Sequence, residues 1–251
     1  MLSRVQCIDQ VFIIDQLNEK KIRVNNKALT EVKRLDTNSI NRNPPIWNQM
    51  DHEGLRIASL NCAGLASHII DINSDHKLKN ADILLLQETS LEKTSDTTNL
   101  TIEDFPVKNF IKISNGRGVA SFLKDKPSRR ETVEEQNMQL EKLSFERVDI
   151  VQVYRSANGN AHTLIEKLIG ILDDKKMTVI LGDFNICTKA EPKNVVSAFL
   201  FSRGFQSMMF EPTQIIGRCI DQCYVSKQMD IAEIMRYSPY YSDHDGILVT
   251  L

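Results

Sequence analysis

Four short segments of this 251-residue chain place carboxylate, amide or imidazole groups where an apolar run ends or begins. They read Leu-Asn-Cys-Ala-Gly at 60–64, Leu-Gln-Glu-Thr at 86–89, Leu-Gly-Asp-Phe-Asn at 181–185 and Ser-Asp-His-Asp at 242–245. An apolar run precedes each of the first three, and an apolar run follows the fourth. This pattern predicts buried strands that deliver polar groups to one edge of a sheet sandwich. Such groups can bind a hard divalent cation and activate water.

Glu88 is the first expected metal ligand, because it ends the apolar run at 83–86, where an unpaired carboxylate would be costly. Mg²⁺ prefers oxygen ligands and keeps several waters, so one or two carboxylates suffice to hold it. The alternative is a capping or surface glutamate. Asp183 and Asn185 share one loop, and alternate residues of an extended segment face the same side. Both can therefore reach one phosphate, although Gly-Asp-Phe-Asn is also good turn chemistry.

The four segments, in this order, resemble the endonuclease/exonuclease/phosphatase superfamily of metal-dependent phosphodiesterases. Two further segments fit the same family: Val-Tyr-Arg-Ser at 153–156 and Gly-Arg-Cys-Ile-Asp-Gln at 217–222. Any one match would be weak, whereas six in order are specific. The resemblance covers residues 54–251. It implies an α/β fold in which two packed sheets form a sandwich with helices outside.

The resemblance also implies a role for each motif residue. The expected metal ligands for Mg²⁺ (or Mn²⁺) are Glu88, Asn61 and Asp243. The expected catalytic residues are Asp183, which orients or deprotonates water; Asn185 and Tyr154, which contact the phosphate; and His244, a phosphate contact or general acid/base whose ring is held by Asp221. The alternatives are a strand-end turn residue for Asn61 and a core residue for Tyr154. His52, His68, His76 and His162 are expected to be structural.

Two features depart from the family pattern. Ala63 stands two places after Asn61, where the family often has an acidic residue or glutamine, which removes one further metal contact. Residues 124–145 are charged and do not read as the sheet strand that the family has there.

Hydrophobic patterning predicts the elements that position these groups. Strands are expected at 55–60, 82–86, 118–123, 149–154, 177–181, 224–226 and 247–249, and helices at 161–172 and 195–203, the second closed by Gly204. Sheets interleaved with two clear helices suit an α/β sandwich.

The first 53 residues read differently from the rest. Residues 1–40 predict a small ββα appendage that is similar to the C-terminal tail of a Helitron-type superfamily-1 DNA helicase, with Leu2-Ser3-Arg4 in its last motif. No phosphate-binding Gly-x-x-x-x-Gly-Lys loop is present, so ATP hydrolysis is not expected. An unrelated appendage is the alternative. Residues 41–53, with Pro44 and Pro45, predict a linker to a domain at 54–251.

Composition bounds the function further. The net charge is −2, divided into +3 for residues 1–50 and −5 for the remainder, so a generic polyanion binder is excluded. The best basic stripe for nucleic acid is Lys124, Lys126, Arg129 and Arg130, with a solvated loop as the alternative. Five scattered cysteines, the absence of an 18-residue apolar run and the absence of a secretory signal predict a nuclear or cytoplasmic protein with reduced thiols and no membrane contact.

These observations predict a Mg²⁺-dependent phosphodiester hydrolase, a DNA endonuclease of transposon origin, with RNA as the alternative nucleic-acid partner. One alternative is a phosphatase or phosphodiesterase of the same fold that acts on lipid or RNA substrates. Another is an inactive transposon remnant, against which the retention of seven motif positions argues.

Overall fold

The computed structural model describes residues 54–113, 117–191 and 194–251. The predicted appendage at 1–40 and the predicted linker at 41–53 lie outside the described residues, so both remain predictions. In chain order the strands are β1 (Arg56–Asn61), β2 (Ile83–Gln87), β3 (Val107–Ile111), β4 (Val119–Leu123), β5 (Arg129–Glu135), β6 (Met138–Ser144), β7 (Val148–Arg155), β8 (Met177–Asp183), β9 (Phe205–Ser207), β10 (Asp221–Ser226), β11 (Glu233–Tyr237) and β12 (Gly246–Thr250). The helices are α1 (Leu65–Ser74), α2 (His76–Lys79), α3 (Ala161–Ile171) and α4 (Val195–Ser202).

The strands form two six-stranded sheets, so the predicted α/β sandwich is confirmed. Sheet A has the order β11-β12-β1-β2-β4-β3, and sheet B has the order β5-β6-β7-β8-β10-β9. Each sheet has one central parallel pair, β1 with β2 and β7 with β8, and the other pairs are antiparallel. The two strands of a parallel pair end at the same edge of their sheet, which gathers their C-terminal residues together.

Two apolar layers hold the sandwich together. The layer between the sheets joins sheet A residues such as Ile57 and Leu85 to sheet B residues such as Ile150 and Leu181. A second layer covers the other face of sheet B with α3 and α4. The central strands β2, β4 and β7 are buried along their whole length, and for β2 this explains why residues 83–86 read as a continuous apolar run rather than as an alternating one.

Helix ends follow ordinary capping chemistry. Asn160 precedes α3 and accepts hydrogen bonds from the backbone N–H groups of His162 and Thr163. Asn194 precedes α4 and accepts a bond from Ser197 N–H. Such caps satisfy backbone donors that the first turn of a helix leaves unpaired. No helix in the described part of the chain is long and apolar enough to cross a membrane.

The charged stretch at 124–145 forms a hairpin at the edge of sheet B, which the sequence did not predict. Strands β5 and β6 pair antiparallel through seven residues each. Their charges are compensated within the fold: Arg130 Nε lies 3.1 Å from Glu141 Oε1, and Lys142 Nζ lies 3.0 Å from Asp149 Oδ2. Charged residues therefore occupy buried strand positions as ion pairs, which breaks the alternation that marks a strand in sequence.

The same hairpin places the expected basic stripe away from the motif residues. Arg129 pairs with Ser144, Ser144 with Asp149, and Asp149 with Thr178, five residues before Asp183 along β8. At about 3.3 Å per residue, Thr178 and Asp183 are roughly 16 Å apart along the strand. Lys124 is similarly placed, because it follows the end of β4 that pairs with Ile83 at the start of β2. The stripe thus lies at the opposite end of the sheets.

Candidate functional site

The ends of the two parallel pairs form one edge, here called the rim, at Asn61, Gln87, Arg155 and Asp183. Asn61 lies beside Gln87 in sheet A, and Tyr154 lies beside Asp183 in sheet B. Gly182 permits this approach. Its φ is +139°, and a Cβ there would lie 2.0 Å from the carbonyl oxygen of Val153. Only glycine accommodates that backbone, so Gly182 brings Asp183 close to β7.

Asp183 is the centre of a hydrogen-bond network at the rim. Its side chain is fully buried, and its Oδ2 accepts a bond of 2.9 Å from Asn61 Nδ2 across the two sheets. Asn185 donates twice, from its backbone N–H to Oδ1 at 2.9 Å and from Nδ2 to Oδ2 at 3.2 Å. Asn185 Nδ2 also donates to the carbonyl oxygen of Arg155 at 3.0 Å. The asparagines therefore orient Asp183, and both amide hydrogens of Asn185 are already used.

Asp221 and His244 form a second unit beside Asp183. His244 Nδ1 lies 2.9 Å from Asp221 Oδ2, and both residues are buried. Asp221 begins β10 directly opposite Asp183 on β8. One ligand-type atom from each of Asp183, Asp221 and His244 lies within 4.8 Å of the others. The imidazole is thus held by one carboxylate and placed within reach of a second.

The loop before β12 fixes His244 from the other side. Ser242 Oγ donates to the carbonyl oxygen of Asn61 at 2.6 Å and accepts from His244 N–H at 3.1 Å. The side-chain amide of Gln214 lies 3.3 Å from His244 Nε2 and 3.3 Å from Asp243 Oδ2. Ser242 therefore connects the histidine loop to β1.

Glu88 and Tyr154 form the third contact of the rim. Tyr154 OH donates to Glu88 Oε1 at 2.9 Å, which joins β7 of sheet B to the end of β2 in sheet A. Backbone bonds from Gly64 N–H to Glu88 and from Leu65 N–H to Thr89 fix the chain at this point. Glu88 has φ of +50°, and Asn185 has φ of +49°. Left-handed backbone at non-glycine residues costs free energy and concentrates at functional sites.

The electrostatics of the rim favour bound protons. Burial raises the pKa of the Asp183 carboxyl well above its ordinary value, and the negative charge of Asp221 adds to the effect. Burial alone would lower the pKa of His244, but the hydrogen bond and charge of Asp221, together with Asp183, outweigh it and raise that pKa to about 9. Burial raises the pKa of Tyr154 too, and the charges of Glu88 and Asp183 contribute. His244 is therefore a cation at neutral pH.

The donor set of the rim fits a divalent cation. Glu88 is half-buried, and within the described residues its Oε2 atom has no hydrogen-bond partner. A carboxylate oxygen of this kind is what Mg²⁺ prefers. Asp183 is a buried carboxylate that a nearby cation would keep ionised. The other two expected ligands are placed differently: Asn61 uses its Nδ2 on Asp183, and Asp243 is exposed beside Gln214.

The remaining acidic and imidazole groups have other partners. Asp245 is buried and pairs with Arg236, whose Nε lies 3.3 Å from Asp245 Oδ2. His68 bonds Asp71 within α1 at 3.1 Å and stacks on Tyr241. His76 and His162 lie in the first turns of α2 and α3, and His52 lies outside the described residues.

Three rim residues were not found from the sequence. Arg155 donates from Nη1 to the carbonyl oxygen of Phe184 at 2.9 Å and so supports the loop of Asp183. Ser242 and Gln214 hold the histidine loop. Arg155 and Ser242 stand inside two of the motif segments, which was the available signal, whereas nothing in the sequence marks Gln214.

Comparison with known proteins identifies the family. The model of the endonuclease/exonuclease/phosphatase family matches residues 58–244. No curated protein matches the sequence. Among solved structures, an AP endonuclease from Archaeoglobus fulgidus aligns with a TM-score of 0.63 at 15% identity, covering 78% of this chain and 98% of that one.

Two other solved structures have the same fold. The 3′ phosphatase NExo from Neisseria, bound to a product DNA hairpin, aligns with a TM-score of 0.57 at 15% identity, covering 78% of this chain and 98% of the other. The cytolethal distending toxin from Haemophilus ducreyi aligns with a TM-score of 0.55 at 13% identity, covering 78% and 97%. Because the family model matches most of the chain, this protein belongs to the endonuclease/exonuclease/phosphatase family, and its membership of this family supports a phosphodiester hydrolase.

Proposed function

We propose that this protein is a divalent-metal-dependent DNA endonuclease, with Mg²⁺ or Mn²⁺ as the cofactor. The observation that carries the proposal is the joint placement of three units at one rim. These are Asp183 held by two asparagines, the Asp221–His244 pair, and Glu88 held by Tyr154. Phosphodiester hydrolysis needs a positioned water, neutralisation of phosphate charge and stabilisation of the leaving oxygen, and the rim has groups for each.

The roles follow from the contacts. Glu88 is the principal metal ligand, and a cation there would supply neutralisation of phosphate charge. Asp183 orients and deprotonates the attacking water, because its carboxylate is fixed from two sides and a bound cation would keep it ionised and able to accept a proton. His244, charged and held at Nδ1, presents Nε2 to a phosphate oxygen or to the leaving group. Asp221 stabilises the imidazolium, and the asparagines position Asp183.

DNA is the preferred substrate for two reasons. The NExo phosphatase, which has this fold, is described with a DNA hairpin bound. Basic groups also stand at the rim itself: the charge of Arg117 is close enough to Tyr154 to offset a small part of the rise in the pKa of that phenol, and Arg155 lies beside Asn185. These arginines replace the stripe at 124–130, which is at the wrong end of the sheets.

The test is cleavage of supercoiled plasmid by the full chain with Mg²⁺, with Mn²⁺ and with chelator. Glu88→Gln keeps the shape of the side chain but removes its charge, so cleavage should be abolished and metal affinity lost while circular dichroism stays unchanged. Glu92→Gln is the matched control, because Glu92 is exposed and only four residues away. Normal turnover in Glu88→Gln would remove Glu88 from the site. Hydrolysis of phosphoinositide or RNA, but not plasmid, would favour the other substrate classes, and no hydrolysis at all would favour a remnant.

We also propose that residues 54–251 carry the chemistry, since every motif residue lies there, and that the chain has a transposon origin and a nuclear or cytoplasmic location. The origin rests on the helicase-like sequence at 1–40. A chain starting near residue 51 should retain most plasmid cleavage. Loss of activity in a soluble, folded truncation would show that the N-terminal segment contributes to the site.

A further inference from the structure

A cavity of about 540 Å³ opens beside the rim, and the rim residue Arg155 and the neighbouring Asn185 both line it. Its walls come from the loop between β7 and α3, the loop after Asn185, the start of α4 and Arg218. Ligand clefts in proteins measure about 300–1,000 Å³, so this volume suits one small unit and not a long stretch of polymer. The rim chemistry described above does not use it.

The charges in the cavity favour an anion. Arg155 and Arg218 line it, and Glu191 is its single lining carboxylate, so the lining has a net positive charge. Arg155 is 8% exposed, and its Nε atom has no hydrogen-bond partner among the described residues. Within that same part of the chain, the Arg218 guanidinium makes no hydrogen bond or ion pair. Two guanidinium groups with unused donors are well suited to phosphate oxygens.

Part of the remaining lining is apolar, beside the polar side chains of Asn185 and Asn194. Ala157 and Ala161 leave the space open on one side, and Ile186 and Val195 supply apolar surface. An apolar wall beside a cationic group matches a nucleotide, which has a sugar and base attached to a phosphate. A free phosphate ion would leave the apolar wall in contact with water.

Resting on the proposed function, we propose that this cavity holds the nucleotide next to the cleaved phosphodiester, and that Arg218 binds that nucleotide's phosphate. The strand runs from the rim past Asn185 into the cavity, so Arg218 determines affinity for a polynucleotide over a small diester. Arg218 is a substrate-binding residue here and takes no part in proton transfer.

The first experiment measures binding without catalysis. A fluorescent six-nucleotide single-stranded DNA is titrated with the full chain in chelator, where no cleavage occurs. Arg218→Ala should weaken binding about tenfold and reduce the salt slope of log K by about 0.7, as expected for one lost phosphate contact on a single strand. Arg218→Lys should retain the slope. Arg203→Ala is the matched control, because Arg203 pairs with Asp174 away from the cavity and should change neither quantity. Equal affinity and slope in Arg218→Ala and Arg203→Ala would overturn the proposal.

The second experiment uses Cys187, which lines the cavity, as a reporter. The other cysteines of the described residues are buried. Iodoacetamide labelling of Cys187, read by mass spectrometry on the tryptic peptide 177–189, should slow several-fold when the oligonucleotide is present. Inositol trisphosphate should give no protection at the same concentration. Protection by inositol trisphosphate alone would overturn the nucleotide assignment in favour of a lipid headgroup.

The outcomes separate this inference from the proposed function. Oligonucleotide binding that depends on Arg218, without any cleavage in Mg²⁺, would contradict the proposed hydrolase activity but support nucleotide binding in the cavity. Plasmid cleavage together with oligonucleotide binding that does not depend on Arg218 would contradict the nucleotide-binding role of the cavity and leave the proposed hydrolase activity supported. In Mg²⁺, KM for the oligonucleotide should rise in Arg218→Ala, whereas Arg203→Ala, away from the cavity, should keep the KM and kcat of the wild type.

Discussion

Asn61 at the end of β1 donates a hydrogen bond of 2.9 Å to Asp183 at the end of β8, and this bond joins the two sheets at the rim. The same side chain accepts from Ala63 N–H through Oδ1 at 3.2 Å. Both ends of the amide are therefore engaged. The hydrogen bond from Ala63 N–H orients the Asn61 side chain from the sheet A side, and its Nδ2 donates to Asp183 in sheet B.

Asn61→Asp tests this bond with no change of shape. Oδ1 can still accept from Ala63, but a carboxylate would face Asp183 in place of a donor. Losing a hydrogen bond to a charged group costs about 1.5–3 kcal/mol, so kcat should fall roughly 10–100-fold. Steady-state kinetics on plasmid measures this. Asn160→Asp is the control, because aspartate is an equally good helix cap. Equal rates in the two variants would show that Asp183 does not need the donor.

Tyr154→Phe removes the phenol that holds Glu88. Outer contacts to metal ligands are worth about 10–100-fold in metal affinity, and we expect a loss of Mg²⁺ affinity in that range. Tyr224→Phe removes another buried phenol, which contacts Ser197 at 2.8 Å on the far side of sheet B. Both variants should lose about 1 kcal/mol of unfolding free energy, but only Tyr154→Phe should change the metal titration. A matching metal affinity in both would assign Tyr154 to the core.

Asp221 and His244 should behave as one unit in a double-mutant cycle. Removing a positioned acid/base or phosphate donor costs roughly 10²–10⁴-fold in rate, and we expect this for His244→Ala. Asp221→Ala should cost the same or less, because it acts through the ring. The double variant should be little worse than His244→Ala alone. Rates are compared after correction for the folded fraction. Additive losses, or normal turnover in folded His244→Ala, would separate the two residues.

Stability in chelator should fall as pH rises from about 6.5 to about 9. The folded protein raises the pKa of His244 from 6.5 to about 9, so the proton stabilises the fold fully below pH 6.5 and this contribution is lost through pH 9. The shift corresponds to roughly 3 kcal/mol. The raised pKa of Asp183 acts in the same direction, because the folded state keeps a proton that the unfolded chain has released.

Urea unfolding at several pH values measures this slope. His244→Gln should flatten it, whereas His162→Gln, at an exposed helix position, should leave it unchanged. A slope that is the same in wild type and His244→Gln would show that His244 gains no proton affinity on folding.

The sequence by itself determined seven of the twelve strands and the polar residues that stand at the ends of the central ones. Apolar runs such as 83–86 and 177–181 predicted buried strands correctly, because a strand covered on both faces needs no polar residue. The order of the six motif segments was enough to indicate the family. The hairpin at 129–144 was not predicted, because its charges are compensated by partners such as Asp149, which lie near them only in the folded chain.

The tertiary structure decided which motif residues touch. Asn61 and Asp183 are 122 residues apart, and Glu88 and Tyr154 are 66 apart, so no local pattern pairs them. The stacking of two sheets sets those contacts, and it also directs the asparagines to Asp183. The cavity beside Asn185 has the same origin. It lies between three loops, and no sequence pattern predicts it, because its walls are formed only when those loops pack together.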